Sequence, residues 1–231
     1  MLSAVMEDYV KAIYHLQVAS GERVRTSEIA DRLQVKPPTV TSMVEKLADR
    51  GLVDREKYGG VELTPEGEQV ALEVIRHHRL LEAYLSEHLD YPWSEVHDEA
   101  DRLEHHISEA FEQRVAAALD DPSIDPHGDP IPSESLEPPA ETPNAALSDC
   151  NVGDVVEVVR VSDRDAEILE YLAERGVRPN TALTIEEIAP FGMVTVRTET
   201  DQETISLPER IARGVRVTDL ENDARVDTSP R

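Results

Sequence analysis

Between His97 and His106 the chain reads His-Asp-Glu-Ala-Asp-Arg-Leu-Glu-His-His. Wound as a helix at about 100° per residue, His97, Asp101, Glu104 and His105 fall within roughly one third of the circumference. Val96, Ala100, Leu103 and Ile107 form the adjoining face, an apolar seam against which another helix should pack. Two imidazoles and two carboxylates beside such a seam suit a borderline or hard divalent metal such as Mn2+, Fe2+ or Zn2+. An acidic solvated helix with incidental histidines is the alternative this stretch leaves open. Further evidence for metal comes from Glu73–Glu82, where His78 and Glu82 are spaced i, i+4 on one helical face. Glu7 and Asp8 open a third amphipathic helix. Three helices carrying such groups could converge on one or two metal ions.

The elements that must hold these residues follow from periodicity. Apolar positions 6, 9, 10, 13 and 16 give a first helix over residues 4–18, ended by Gly21. Thr26 caps a short helix whose inner face is Ile29, Ala30 and Leu33. Pro37 and Pro38 sit at the start of the next, where proline is tolerated. Val40, Val44 and Leu47 turn inward along it, and Gly51 ends it. Two short helices with a tight break, then a hairpin over Leu52–Leu63 turning near Gly59 and Gly60, predict a winged helix-turn-helix. A long helix follows from Thr64 to about His88, and another from Pro92 to about Leu119. Leu72, Ile75, Leu80, Leu81 and Leu85 on one, with Leu103, Ile107, Phe111, Val115 and Leu119 on the other, present more apolar surface than one hairpin can bury, so dimerisation is expected. Asp121–Ala146, rich in Pro, Asp, Glu and Ser, reads as a linker without chemistry. Strands over 152–161, 181–188, 192–198, 203–207 and 215–217, with a helix over 166–175, predict a small β-barrel. The tail after Asp219 reads as disordered.

Composition narrows the class. The chain has 231 residues, 39% of them hydrophobic, enough for two or three small domains with cores. No apolar run approaches a membrane span and no signal peptide is evident, so no membrane association is expected. Cys150 is the single cysteine, which excludes an internal disulfide and, with the missing signal, suggests a cytoplasmic protein. Its thiol is expected to be inert. The net charge of −25 would ordinarily argue against a nucleic-acid partner. Through Thr64, however, nine basic residues face ten acidic ones, which leaves about −24 for the remainder. One segment is near neutral inside an acidic, lysine-poor chain. Such surfaces suit solubility at high salt, and a halophilic source is expected.

The motifs now carry a family. Glu7-Asp8-Tyr9, Ala12-Ile13-Tyr14, Pro38-Thr39-Val40, Leu63-Thr64-Pro65-Glu66-Gly67, His78–Glu82, Val96–Ala100, Glu104-His105 and Pro126–Pro132 resemble the diphtheria-toxin-repressor family of iron- and manganese-dependent transcriptional repressors. Residues 150–220 resemble that family's SH3-like carboxy-terminal domain, most clearly at Tyr171–Val177. The fold class implied is mainly α with α+β parts: a winged helix-turn-helix (1–64), a helical metal-binding and dimerisation domain (65–132), a linker (133–149), an SH3-like small β-barrel (150–220) and a tail (221–231).

The resemblance implies two metal sites for Mn2+ or Fe2+. Asp8, Asp101, Glu104 and His105 would form the regulatory site. His78, Glu82 and His97 would form the ancillary one, with help from the third domain. Asp101 and Asp8 stand where iron-sensing members often have cysteine and methionine, and oxygen for sulfur favours Mn2+. Lys11 departs from the two-domain manganese sensors, which have a ligand carboxylate there. In the third domain Asp165 aligns with a family carboxylate and Ile168 with a ligand glutamine.

Metal would switch a homodimer onto a palindromic double-stranded operator. Pro38, Thr39, Thr41 and Ser42 are the base-groove candidates, suited to methyl and shape readout. Thr26, Ser27, Lys36, Lys46, Arg55 and Lys57 are the phosphate candidates. Two other readings compete: a winged-helix regulator that senses no metal, and a metal-dependent hydrolase or oxidase.

Overall fold

The computed structural model describes residues 2–56, 59–139, 144–199 and 202–220. Lys57 and the 221–231 tail lie outside them. The chain divides into two units: residues 1–80, 101–118 and 131–139, and residues 81–100, 119–130 and 140–231.

The first unit opens with α1 (Ala4–Ser20), capped by Ser3 and closed by Gly21 at φ 67°. The cap of α2 (Thr26–Leu33) falls one residue earlier than the sequence suggests, at Arg25. Its N–H donates to Glu28 Oε2 at 2.7 Å, so a carboxylate one turn into the helix does the capping. Helix α3 (Pro37–Asp49) begins on its two prolines. Val40, Val44 and Leu47 are buried with Val10, Ile13 and Ile29 in one core, so α1 and α3 pack around shared side chains. The hairpin β1 (Val53–Glu56) and β2 (Gly60–Leu63) is antiparallel with Val53 opposite Leu63. Val24 and Val61 exchange two backbone hydrogen bonds of 2.8 Å, anchoring the wing to the loop before α2.

Helix α4 (Pro65–His88) is uninterrupted, and its 65–80 portion belongs to the first unit. At Gly67 any Cβ would lie 1.9 Å from the Leu52 carbonyl oxygen, so only glycine lets α4 start against the hairpin. The single helix expected from Pro92 to Leu119 is instead two: α5 (Val96–Leu103) and α6 (Glu109–Ala118). Ser108 breaks it, because its Oγ accepts the Phe111 N–H at 3.3 Å and caps α6. The turn at 104–108 also frees the Glu104 carbonyl, which accepts from His77 Nδ1 at 3.2 Å.

The second unit is built on six antiparallel strands in the order β3-β8-β4-β5-β6-β7. They are β3 (Ala145–Ala146), β4 (Val155–Val161), β5 (Ala182–Ala189), β6 (Met193–Thr198), β7 (Thr204–Leu207) and β8 (Val215–Asp219), with helices α7 (Ala166–Glu174) and α8 (Glu209–Ala212). Strand β3 and the turn after it fall inside the stretch read as a linker. Leu147 there is fully buried in the β core, a long-range contact that Pro-rich composition hides.

Candidate metal centres and nucleic-acid face

In the first unit α1 brings Glu7 and Asp8 to the turn after α5. His105 Nδ1 lies 2.7 Å from Glu7 Oε2, and Nε2 lies 3.0 Å from Asp8 Oδ1 and 3.4 Å from Glu104 Oε1. One ligand atom from each of Asp8, Glu104 and His105 falls within 4.8 Å of the others. Burial pushes the Asp8 carboxyl above its ordinary range, and His105 offsets only part of that. Asp8 is half-exposed, and His105 and Lys11 only partly offset its desolvation; a divalent ion among these three groups would favour the carboxylate further.

Beside them stands Lys11, one turn further along α1. Its ammonium donates to Glu104 Oε2 and Oε1 at 2.7 and 3.0 Å and to Asp101 Oδ1 at 3.1 Å. It also lies 3.1 Å from His78 Nδ1, which is itself 2.5 Å from Glu104 Oε2. Burial alone would lower the Lys11 pKa, but Glu104 and Asp101 outweigh it and hold the ammonium charged. Asp101 and His78, assigned by resemblance to different metal sites, thus meet around Glu104 within this unit. Arg76, bonded to Glu112 and the Pro132 carbonyl, braces α4 against α6 below them.

The second centre gathers Glu82, His97, Asp125, His127 and Asp163. His97 Nδ1 lies 3.1 Å from Glu82 Oε1 and 3.3 Å from Asp163 Oδ2. Its hydrogen bond and charge hold the Asp163 carboxyl far below the usual carboxylate range against the opposing effect of burial. His127 Nε2 lies 3.1 Å from the Trp93 carbonyl, which can only accept, so Nε2 carries the hydrogen. His127 Nδ1 then faces Glu82 Oε1 at 3.7 Å and makes no hydrogen bond among the described residues. Two buried acceptors so placed need a cation between them, either a proton or a metal. An imidazole whose far nitrogen donates to a backbone carbonyl is the usual arrangement of a metal-ligating histidine. Burial would lower the His127 pKa, yet Glu82 raises it on balance.

Three of these residues escape the sequence reading. Asp125 and His127 lie in the segment taken as a linker without chemistry, which the structure corrects. Asp125 Oδ1 accepts the N–H groups of His127 and Asp129 at 2.8 and 2.9 Å, and Val161 N–H donates to the His127 carbonyl at 2.9 Å. At Gly128, φ 89°, a Cβ would meet the Val159 carbonyl at 2.0 Å, so glycine alone lets this loop lie on β4. Asp163 lies two residues past the end of β4. Asp165, aligned by resemblance with a family carboxylate, instead caps α7, accepting Ile168 N–H at 3.2 Å. Cys150 stands apart: burial and nearby Asp154 push its thiol up to about 11, so it is a poor ligand at neutral pH.

On the winged helix, Pro38, Thr39, Thr41, Ser42, Lys36 and Lys46 are exposed along one side of α3, opposite the buried Val40, Val44 and Leu47. Ser27 is exposed and Thr26 half-buried at the start of α2. Arg55 is exposed but pairs with Glu45 at 2.9 Å, which diminishes it as a phosphate contact.

Comparison with known proteins agrees with this layout. Residues 1–61 match the iron dependent repressor N-terminal DNA binding domain, residues 64–133 the iron dependent repressor metal binding and dimerisation domain, and residues 145–219 the FeoA domain. The chain is 34% identical to the iron-dependent repressor IdeR of Mycobacterium tuberculosis over 91% of its own length and 95% of that protein. It is 32% identical to the diphtheria toxin repressor of Corynebacterium glutamicum over 93% and 96% of the two chains. A solved manganese-dependent transcriptional repressor in complex with manganese superposes with a TM-score of 0.86, at 39% identity, over 93% of this chain and all of that one.

Proposed function

The chain belongs to the iron-dependent, or diphtheria-toxin, repressor family, and from that premise we propose that divalent metal at its two acid–imidazole centres switches it onto operator DNA. It is a metal-dependent, DNA-binding transcriptional regulator, a homodimer that uses Mn2+ or Fe2+. Repression of metal-uptake genes is the role this reading assigns.

Asp8, Glu104 and His105 would hold the regulatory ion, with Glu7 on the far nitrogen of His105. Glu82, His97, His127 and Asp163 would hold the second. All are hard or borderline donors, which suit Mn2+ and Fe2+. A bound ion supplies two positive charges and a fixed coordination geometry. The chain's own residues convert that into position. Asp8 belongs to α1, whose Val10 and Ile13 share a core with Val44 and Leu47 of α3. Fixing Asp8 against Glu104 and His105 therefore fixes the helix that carries Pro38, Thr39, Thr41 and Ser42. In a twofold dimer this sets the spacing of two recognition helices on a palindromic site. Phe111, exposed on α6, supports burial in such a dimer. The ion must bind the DNA-competent arrangement better than the alternatives for any switch to occur.

The observation that carries the reading is His105, pointing one nitrogen at an α1 carboxylate, Asp8, and near the α5-turn carboxylate Glu104. A hydrolase or oxidase fits less well, because it leaves the DNA-binding domain at residues 1–61 without a role. Residence in the cytoplasm accords with this role, and no helix among the described residues is long and apolar enough to cross a membrane.

The test is selection of binding sites from a random duplex pool, followed by anisotropy titration of the selected DNA with Mn2+, Fe2+ and chelator. Metal is expected to tighten binding by at least tenfold. Equal affinity in chelator would overturn the switch.

A further inference from the structure

His78, Asp101 and Glu104 offer a third set of metal ligands: one atom from each lies within 4.8 Å of the others. That space already contains a cation. Lys11 Nζ lies 3.1 Å from His78 Nδ1, 3.1 Å from Asp101 Oδ1 and 2.7 Å from Glu104 Oε2. The Lys11 side chain is 16% exposed and that of Glu104 1%, so the ammonium cannot leave for water without stranding a buried carboxylate. We propose that Lys11 is the permanent cation of the His78–Asp101–Glu104 group, a tethered ammonium in the place of a metal ion, so that the first unit takes one divalent ion where its carboxylates and imidazoles would otherwise take two.

The proposal rests on the metal reading of the Asp8–Glu104–His105 centre and goes beyond it. Lys11 and Asp8 are three residues apart on α1, so they project from one side of the helix. Glu104 accepts from Lys11 through both oxygens and also offers Oε1 to the Asp8–His105 group. A second divalent ion beside the first would bring two dications together across one carboxylate. The lysine halves the charge of the inner one. It also cannot be removed by a chelator. Lys11 therefore ties α1 to the end of α5 with or without metal, and the regulatory ion closes only the Asp8–His105 side. Metal release loosens α1 at one point and leaves it docked at the other.

The experiment counts Mn2+ per subunit by equilibrium dialysis and follows the Tm in chelator and in Mn2+, for the full chain and for Lys11→Arg, Lys11→Met and Lys11→Glu. Lys11→Arg should keep the parent's count. Lys11→Glu should bind one more Mn2+ than the parent. Lys11→Met should lose several degrees of Tm in chelator and recover more with Mn2+ than the parent gains. Equal Mn2+ counts in all four chains would overturn the proposal. A parent that binds no Mn2+ would overturn the metal reading of Asp8, Glu104 and His105 instead, and a one-ion gain in Lys11→Glu over that parent would still uphold the role of Lys11.

Discussion

Glu104 and Glu82 are both buried carboxylates beside imidazoles, and they differ in what neutralises them. Glu104 has the Lys11 ammonium against both oxygens. Glu82 faces His97 at 3.1 Å and His127 at 3.7 Å. Glu104 and Asp101 hold the Lys11 ammonium charged against the effect of burial, whereas an imidazole gives its proton up when a metal arrives. The first centre is thus half neutralised by the chain itself, and the second waits for a cation from outside. The same residue types leave one buried carboxylate partly neutralised by the chain itself and another waiting for a metal, according to whether a lysine stands among them.

The largest effect should come from removing each carboxylate in metal-free protein. Glu104→Ala leaves a mostly buried ammonium whose remaining ion-pair partner is the half-exposed Asp101, with Asp8 nearby. Breaking a buried pair on one side costs on the order of 3–5 kcal/mol, less here because Asp101 remains, so about 2–4 kcal/mol is expected. Glu82→Ala leaves imidazoles that can become neutral, and about 1–3 kcal/mol is expected. Urea denaturation in chelator measures both. Equal losses would break the comparison.

His127→Ala sharpens it from the other side. It removes the nitrogen aimed at Glu82 and should weaken Mn2+ binding at the second centre by about 100-fold or more, beyond what loss of an outer partner does. Isothermal titration measures this, and the ion bound at Asp8, Glu104 and His105 should be unaffected. A loss of both ions would show that the centres do not act separately.

The smallest effect concerns charge over the whole chain. The first 64 residues are near neutral and the rest carries about −24. A near-neutral DNA-facing unit with few phosphate contacts should show a shallow salt dependence, and an acidic remainder should scarcely repel DNA at molar salt, where the Debye length is about 3 Å. We therefore expect metal-loaded protein to bind its selected site at molar KCl and poorly at low salt, as a halophilic source would require. Operator affinity from roughly 0.1 to 3 M KCl measures the slope, and a loss as steep as that of a protein making about 6–10 phosphate contacts would defeat the halophile reading.

These differences were unevenly legible in the sequence. Helices α1 to α4 are local matters: Pro37 and Pro38 start α3, and Val40, Val44 and Leu47 repeat at helical spacing. The metal-ligating types near His97 and His105 stand out for the same reason. The Ser108 cap was also legible, but the run Leu103, Ile107, Phe111, Val115 keeps helical period across it and masks the break. Asp125, His127 and Asp163 were hidden for a different reason. They meet because Gly128 lets a Pro-rich loop lie on the Val159 carbonyl, a contact between residues 31 positions apart that composition cannot register. Lys11 was visible as a departure from a family pattern, but that its ammonium sits among His78, Asp101 and Glu104 is a fact of tertiary geometry.

The central claim is that metal at Asp8, Glu104 and His105 and DNA at α3 are coupled. Coupling of this kind is reciprocal: the factor by which Mn2+ tightens DNA must equal the product, over the ions of the dimer, of the factors by which DNA tightens Mn2+. The direct measurement is Mn2+ affinity with and without saturating selected DNA, for the parent chain and for His105→Ala. The parent should bind Mn2+ more tightly with DNA present, by factors that multiply over the dimer's coupled ions to the factor of at least ten that Mn2+ confers on DNA binding, and His105→Ala should show no such gain. A Mn2+ affinity in the parent that DNA leaves unchanged would contradict the account.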